Sequence, residues 1–130
     1  LIYDITREKT SEIRKSYQKQ ENSEEIILIE EFIKENLEKD ITLDLLTKKF
    51  KISKSNLNKK FIRKFQYTPI KYLNNLRMMK AEEILMKTDK NITEISMELG
   101  LTSPSNFTRS FKKFTGLSPS EYRKKEALKE

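Results

Sequence analysis

The chain has 130 residues, with 27 Lys/Arg against 20 Asp/Glu, a net charge of +7 and neither Cys nor His. Those absences exclude disulfides, zinc sites of the Cys/His type, a thiol nucleophile and imidazole acid–base chemistry. With 2 Gly, 3 Pro and 36% charged residues, the composition is that of a helical, highly solvated protein, either one ordinary domain or two small lobes.

The charge is unevenly placed. Residues 1–40 carry 7 Lys/Arg against 11 Asp/Glu, a net −4, whereas residues 41–130 carry 20 against 9, a net +11. A basic body of this kind fits a polyanionic partner, with nucleic acid the first candidate. The longest aliphatic run is Ile26–Ile29, far short of a membrane span, and no leader pattern opens the chain. A cytoplasmic location is expected, without membrane attachment, cofactor or metal. The chain opens on Leu rather than Met and reads as a piece of a longer one.

Residues 1–22 have no continuous apolar stripe and read as a linker or the end of an upstream domain. After Ser23, a candidate N-cap, Ile26, Ile29, Ile33 and Leu37 recur at the spacing of an amphipathic helix. Leu43, Leu46 and Phe50 share one face of a short second helix. Beyond the break Lys51-Ile52-Ser53, Leu57, Phe61 and Phe65 recur every four residues in a third. Each proline follows a hydroxyl residue, as Thr68-Pro69, Ser103-Pro104 and Ser118-Pro119. A hydroxyl N-cap followed by Pro starts a helix, because Pro has no N–H to leave unsatisfied in the first turn. Asn91 with Glu94, and Ser118 with Glu121, have capping-box spacing. Helices should therefore start near 69, 92, 104 and 119. The longest runs from Pro69 to about Lys87, with Leu73, Leu76, Ala81, Ile84 and Leu85 inward. No strand pattern competes, so the fold class is all-α, with about seven helices.

The stretch SNLNKKF at Ser55–Phe61 recurs as SNFTRSF at Ser105–Phe111, fifty residues later. The same offset pairs Ser53 with Ser103, Thr68 with Ser118, Pro69 with Pro119 and Tyr72 with Tyr122. Upstream the offset is forty-nine, pairing Leu43 with Ile92, Leu46 with Ile95, Thr47 with Ser96 and Phe50 with Leu99. One residue has entered between Leu99 and Phe107, and only a turn between helices tolerates that. Each copy is therefore a helix, a tight turn and a second helix: a helix–turn–helix occurring twice, at about 42–65 and 92–114. Gly100 falls where the first helix of the second copy needs a left-handed residue to end it.

With Leu57 and Phe61 in the core, Ser55, Asn58, Lys59 and Ile62 project away; in the second copy Ser105, Thr108, Arg109 and Lys112 do so. Residues 53–65 contain five cations and no acid. Such a face suits a DNA major groove, where Arg or Lys donates to guanine and Asn pairs bidentately with adenine. The flanking Lys54, Lys60, Lys64, Lys112 and Lys113, with the hydroxyls of Ser53, Thr102 and Ser103, are candidate phosphate contacts. The helix from Pro69 to Lys87 would be about 28 Å long. That is comparable with the roughly 34 Å turn of DNA that paired recognition helices span.

Residues from about 24 to 126 resemble the AraC/XylS-type DNA-binding domain, with two helix–turn–helix units of homeodomain-like build joined by a long helix. The resemblance rests on ISKSNLNKKFIRKFQYTPIKYLNNLRMMKAEEIL and on ITEISMELGLTSPSNFTRSFKKFTGLSPSEYR, the second stretch being the more specific. It implies a transcription regulator on double-stranded promoter DNA, dimerising through a sensory or receiver domain upstream, with RNA polymerase as a further partner. By motif position the base-reading places fall on Ser55, Asn58 and Lys59, then on Ser105, Asn106, Thr108 and Arg109. The chain departs from the family's usual Ala at Thr47 and Ser96, Gly at Lys51 and Phe at Leu101. Thr47 and Ser96 are small enough to pack while bonding a backbone carbonyl. Lys51 leaves the first turn without a left-handed residue, which predicts a looser first unit.

Plainer roles fit several of these residues. Leu57, Phe61, Phe107, Phe111, Tyr72 and Tyr122 are core at helical spacing. The lysines of the second helices fit a solvated face as well as phosphate contact. Arg123, Lys124 and Lys125 either contact phosphate or complement the last helix electrostatically. Glu82 and Glu83 read as an exposed pair with no catalytic coupling. No nucleophile constellation, phosphate loop or metal cluster supports an enzyme. The rival class is a protein-docking helical bundle.

Overall fold

The computed structural model describes residues 24–129, which hold seven helices and no strand. The expectations for residues 1–22 and for Ser23 lie outside this range. The helices are α1 (24–35), α2 (Leu43–Phe50), α3 (Lys54–Phe65), α4 (Pro69–Lys87), α5 (Ile92–Glu98), α6 (Pro104–Thr115) and α7 (Pro119–Leu128).

Their starts follow from capping chemistry. Thr42, Ser53, Thr68, Asn91, Ser103 and Ser118 each accept, through the side-chain oxygen, the N–H three residues on. Each such cap is worth about 1 kcal/mol. Pro69, Pro104 and Pro119 occupy the first turns of their helices, as the hydroxyl–proline pairs require.

Among the described residues, two separate apolar clusters form the core. The first gathers Ile26, Ile29, Ile33, Ile41, Leu46, Leu57, Phe61 and Leu73; the second Met78, Ala81, Ile84, Leu85, Ile95, Leu99, Phe107 and Phe111. The long helix α4 serves both, its N-terminal half one and its C-terminal half the other. The repeat is carried into the packing of its ring pairs. Phe61 meets Tyr72, and Phe111 meets Tyr122, edge-on at 5.3 Å between centroids in both cases. Tyr122 donates from its hydroxyl to Glu82 (2.8 Å). Burial, reinforced by that carboxylate, pushes the Tyr122 hydroxyl up to about 12. Glu82 is therefore a half-buried anchor for α7, whereas Glu83 is exposed and paired with Lys80 and Lys87.

The two turns differ as the offset change requires. Lys51 takes up the left-handed conformation itself (φ 52°, ψ 50°), and its N–H reaches the Thr47 carbonyl. The first turn thus has its left-handed residue without a glycine, contrary to the reading that Lys51 would deprive it of one. The turn needs one residue there whatever its side chain, and Lys51 is exposed, so its side chain meets no obstacle. In the second turn Gly100 does the same at φ 72°. Ile52 and Leu101 each donate to the carbonyl five residues back, so the extra residue is Thr102. The hydroxyls of Thr47 and Ser96 bond the carbonyls of Asp44 and Thr93 (2.9 Å each), as expected, although only Ser96 is buried.

Two arginines tie helix ends together. Arg77 donates to the carbonyls of Leu37 (2.9 Å) and Lys39 (2.8 Å), beyond the end of α1. Arg123 donates to those of Leu85 (3.2 Å) and Thr88 (3.1 Å) at the end of α4. Arg123 is therefore a structural brace that joins α7 to the end of α4.

Candidate nucleic-acid interface

The helices α3 and α6 have the same length, the same hydroxyl cap and the same buried pair, Leu57 and Phe61 in one, Phe107 and Phe111 in the other. At about 100° per residue, the side opposite each pair carries Ser55, Lys59, Ile62 and Arg63, or Ser105, Arg109, Lys112 and Lys113. All eight are exposed. Neither helix contains an acidic residue. Asn58 and Thr108, at matching places, are half-buried along the edge of that face. Asn106 is exposed one turn along from Arg109.

The helix starts show what the hydroxyls have left to give. Ser53 and Ser103 spend an oxygen lone pair on the N–H of Asn56 (3.2 Å) and Asn106 (3.1 Å), which leaves each hydroxyl proton to donate outward. Thr102, the extra residue of the second turn, accepts from the Asn106 side-chain amide (3.0 Å). That bond orients Asn106 and keeps one N–H and the carbonyl oxygen for a base edge. The first unit has no residue in Thr102's place, so its helix begins without this arrangement.

The cations are not equivalent. Lys54 is paired with Asp44 of α2 (2.8 Å), and the Lys54 ammonium holds the Asp44 carboxyl below the usual carboxylate range. Lys60 is half-buried and, like Lys64, already engaged within the protein. Lys112 and Lys113 are exposed at the end of α6. Two residues escaped the sequence reading of the site. Asp44 lies ten positions before Lys54 on another helix, so only the turn geometry brings them together. Arg63 follows Lys59 by four residues on the outward face and is the repeat mate of Lys113; its spacing was the available signal. No group of acidic residues able to hold a metal occurs among the described residues. None of the described helices is long and apolar enough to cross a membrane.

The helix-turn-helix domain family matches residues 46–125. The lactose operon transcription activator of Staphylococcus xylosus is 36% identical over 93 residues, which is 72% of this chain and 33% of that protein. The chain thus spans about a third of the length of that relative. The C-terminal domain of AraT, a response regulator from Geobacillus stearothermophilus, superposes with a TM-score of 0.75 at 27% identity, covering 78% of this chain and 84% of that one. The DNA-binding domain of AdpA, solved with a target DNA, shares the fold with a TM-score of 0.76 at 20% identity, covering 80% and 94%. With a doubled helix–turn–helix whose core, caps and turns repeat, and with this match across most of its length, the chain belongs to the AraC-type helix-turn-helix family of DNA-binding transcription regulators.

Proposed function

We propose that the chain is the DNA-reading part of a longer regulator and sets α3 and α6 into successive major grooves on one face of a promoter duplex. The carrying observation is the twice-built helix with an apolar inner face and an acid-free, hydroxyl- and cation-bearing outer face. Ser55, Asn58 and Lys59, and Ser105, Asn106, Thr108 and Arg109, face base edges in this reading. Ser53, Lys54, Lys60, Lys64, Thr102, Ser103, Lys112 and Lys113 hold phosphates, with Arg63 added to them. Dimerisation, a sensory or receiver input and contact with RNA polymerase belong to the longer cytoplasmic protein. The activator in the name of the S. xylosus relative makes activation the favoured outcome.

A protein-docking bundle is separated from this reading by salt. Neutralising a phosphate releases counterions, so log K falls against log salt by about 0.9 per contact, and four or five lysines give a slope of about −4. Fluorescence anisotropy on a labelled duplex across salt concentrations checks this. A flat dependence contradicts DNA binding by these helices.

A further inference from the structure

Among the described residues, the two apolar clusters share no residue, and α4 alone threads both. A single helix fixes the distance between two lobes along its axis but is a weak guide to their rotation about it. Another contact joins them. Between the clusters on α4, Arg77 is buried at 8% exposure and grips the carbonyls of Leu37 and Lys39, on either side of Glu38. The Glu38 carbonyl itself faces Gly100 of the second turn. A Cβ on Gly100 would lie 2.2 Å from the Glu38 oxygen and 2.7 Å from its carbon, a clash with backbone. Of three consecutive carbonyls of the segment between α1 and α2, two thus accept hydrogen bonds from α4 and the one between them lies close against the turn that leads into α6.

The first turn shows what this means for Gly100. Lys51 holds the equivalent left-handed position with a full side chain, so the turn geometry does not by itself demand glycine. Glycine at 100 is demanded by the approach of the second unit to the first. Gly116 is the contrasting case, with φ 88° and nothing within 4 Å of its would-be Cβ.

We propose that Arg77 and Gly100, by clamping the 37–39 backbone, are positioning residues that set how α6 lies relative to α3 and hence the base-pair spacing between the two half-sites the chain accepts. This rests on the two-groove reading above. The test is binding of the whole chain, by anisotropy at fixed salt below each variant's melting temperature, to duplexes carrying both half-site determinants at the preferred separation and with one base pair added or removed.

Wild type should lose at least about tenfold on either change, because linked contacts are lost when geometry forbids simultaneous engagement. Gly100→Ala should flatten this penalty to within about threefold or shift the optimum by one base pair. Gly116→Ala imposes similar left-handed strain in open space and should keep the wild-type profile. Arg77→Lys, which can reach only one of the two carbonyls, carries the test if Gly100→Ala does not fold. A wild-type spacing profile in the folded Gly100→Ala or Arg77→Lys protein overturns the proposal, as does an equal change in Gly116→Ala. Wild type that ignores spacing altogether removes the two-groove reading, and this proposal with it.

Discussion

Arg109 is exposed at the centre of the outward face of α6, flanked by Ser105 and by the oriented amide of Asn106. A guanidinium can pair bidentately with a guanine edge, the contact proposed above for Arg109. Arg109→Ala should therefore relax preference at one base position and cost about 1–3 kcal/mol. Competition binding with single-base variants of the site reads this; an unchanged preference removes Arg109 from the base contacts. The pair Lys54–Asp44 predicts the opposite direction. Both partners are exposed, so the bridge adds little stability, but the carboxylate competes with phosphate for the ammonium. Asp44→Asn should raise duplex affinity several-fold and steepen the salt slope by about one unit. Weaker binding by this variant would show that Asp44 instead holds Lys54 in a productive position. Ser55, Lys59, Ile62, Ser105, Arg109 and Lys112 were legible as outward because Leu57, Phe61, Phe107 and Phe111 fix the phase of two helices, whereas Asn58 and Thr108, read with them, are half-buried at the edge. Asp44–Lys54 and Thr102–Asn106 were not, since each depends on how a turn folds back.

Among the elements, the starts of α4 to α7 could be read almost to the residue, because hydroxyl, Pro and Asn caps act locally. The backbone conformation that ends a helix was harder. The expectation for Lys51 failed because a left-handed residue was equated with glycine, whereas exposed turn positions accept other side chains at a cost. That cost is recoverable. A non-glycine residue in this region carries about 1–3 kcal/mol of strain, while glycine gives up about 0.5–1 kcal/mol in unfolded-chain entropy. Lys51→Gly should therefore stabilise the protein by about 0.5–2 kcal/mol, read by chemical denaturation. Lost stability would mean that the Lys51 side chain makes contacts that outweigh the strain. Arg77 and Arg123 could not be recognised as braces. Their partners are backbone carbonyls 35 to 40 positions away, which carry no signature in the sequence.

Over the whole molecule, the sequence disclosed two units and a stiff connector, but not what fixes one unit against the other. The Glu38–Gly100 approach joins residues far apart in the chain, and neither looks unusual for its own element. The charge asymmetry, −4 before residue 41 and +11 after it, was fully legible. With the acid-free faces of α3 and α6, it fits the proposal that the chain reads two grooves at once. The most direct test is selection from a randomised duplex pool at near-physiological salt, followed by sequencing of the survivors. Two short determinants about ten base pairs apart are the predicted outcome. Salt-sensitive binding that enriches no sequence, or only one determinant, would contradict the two-groove account.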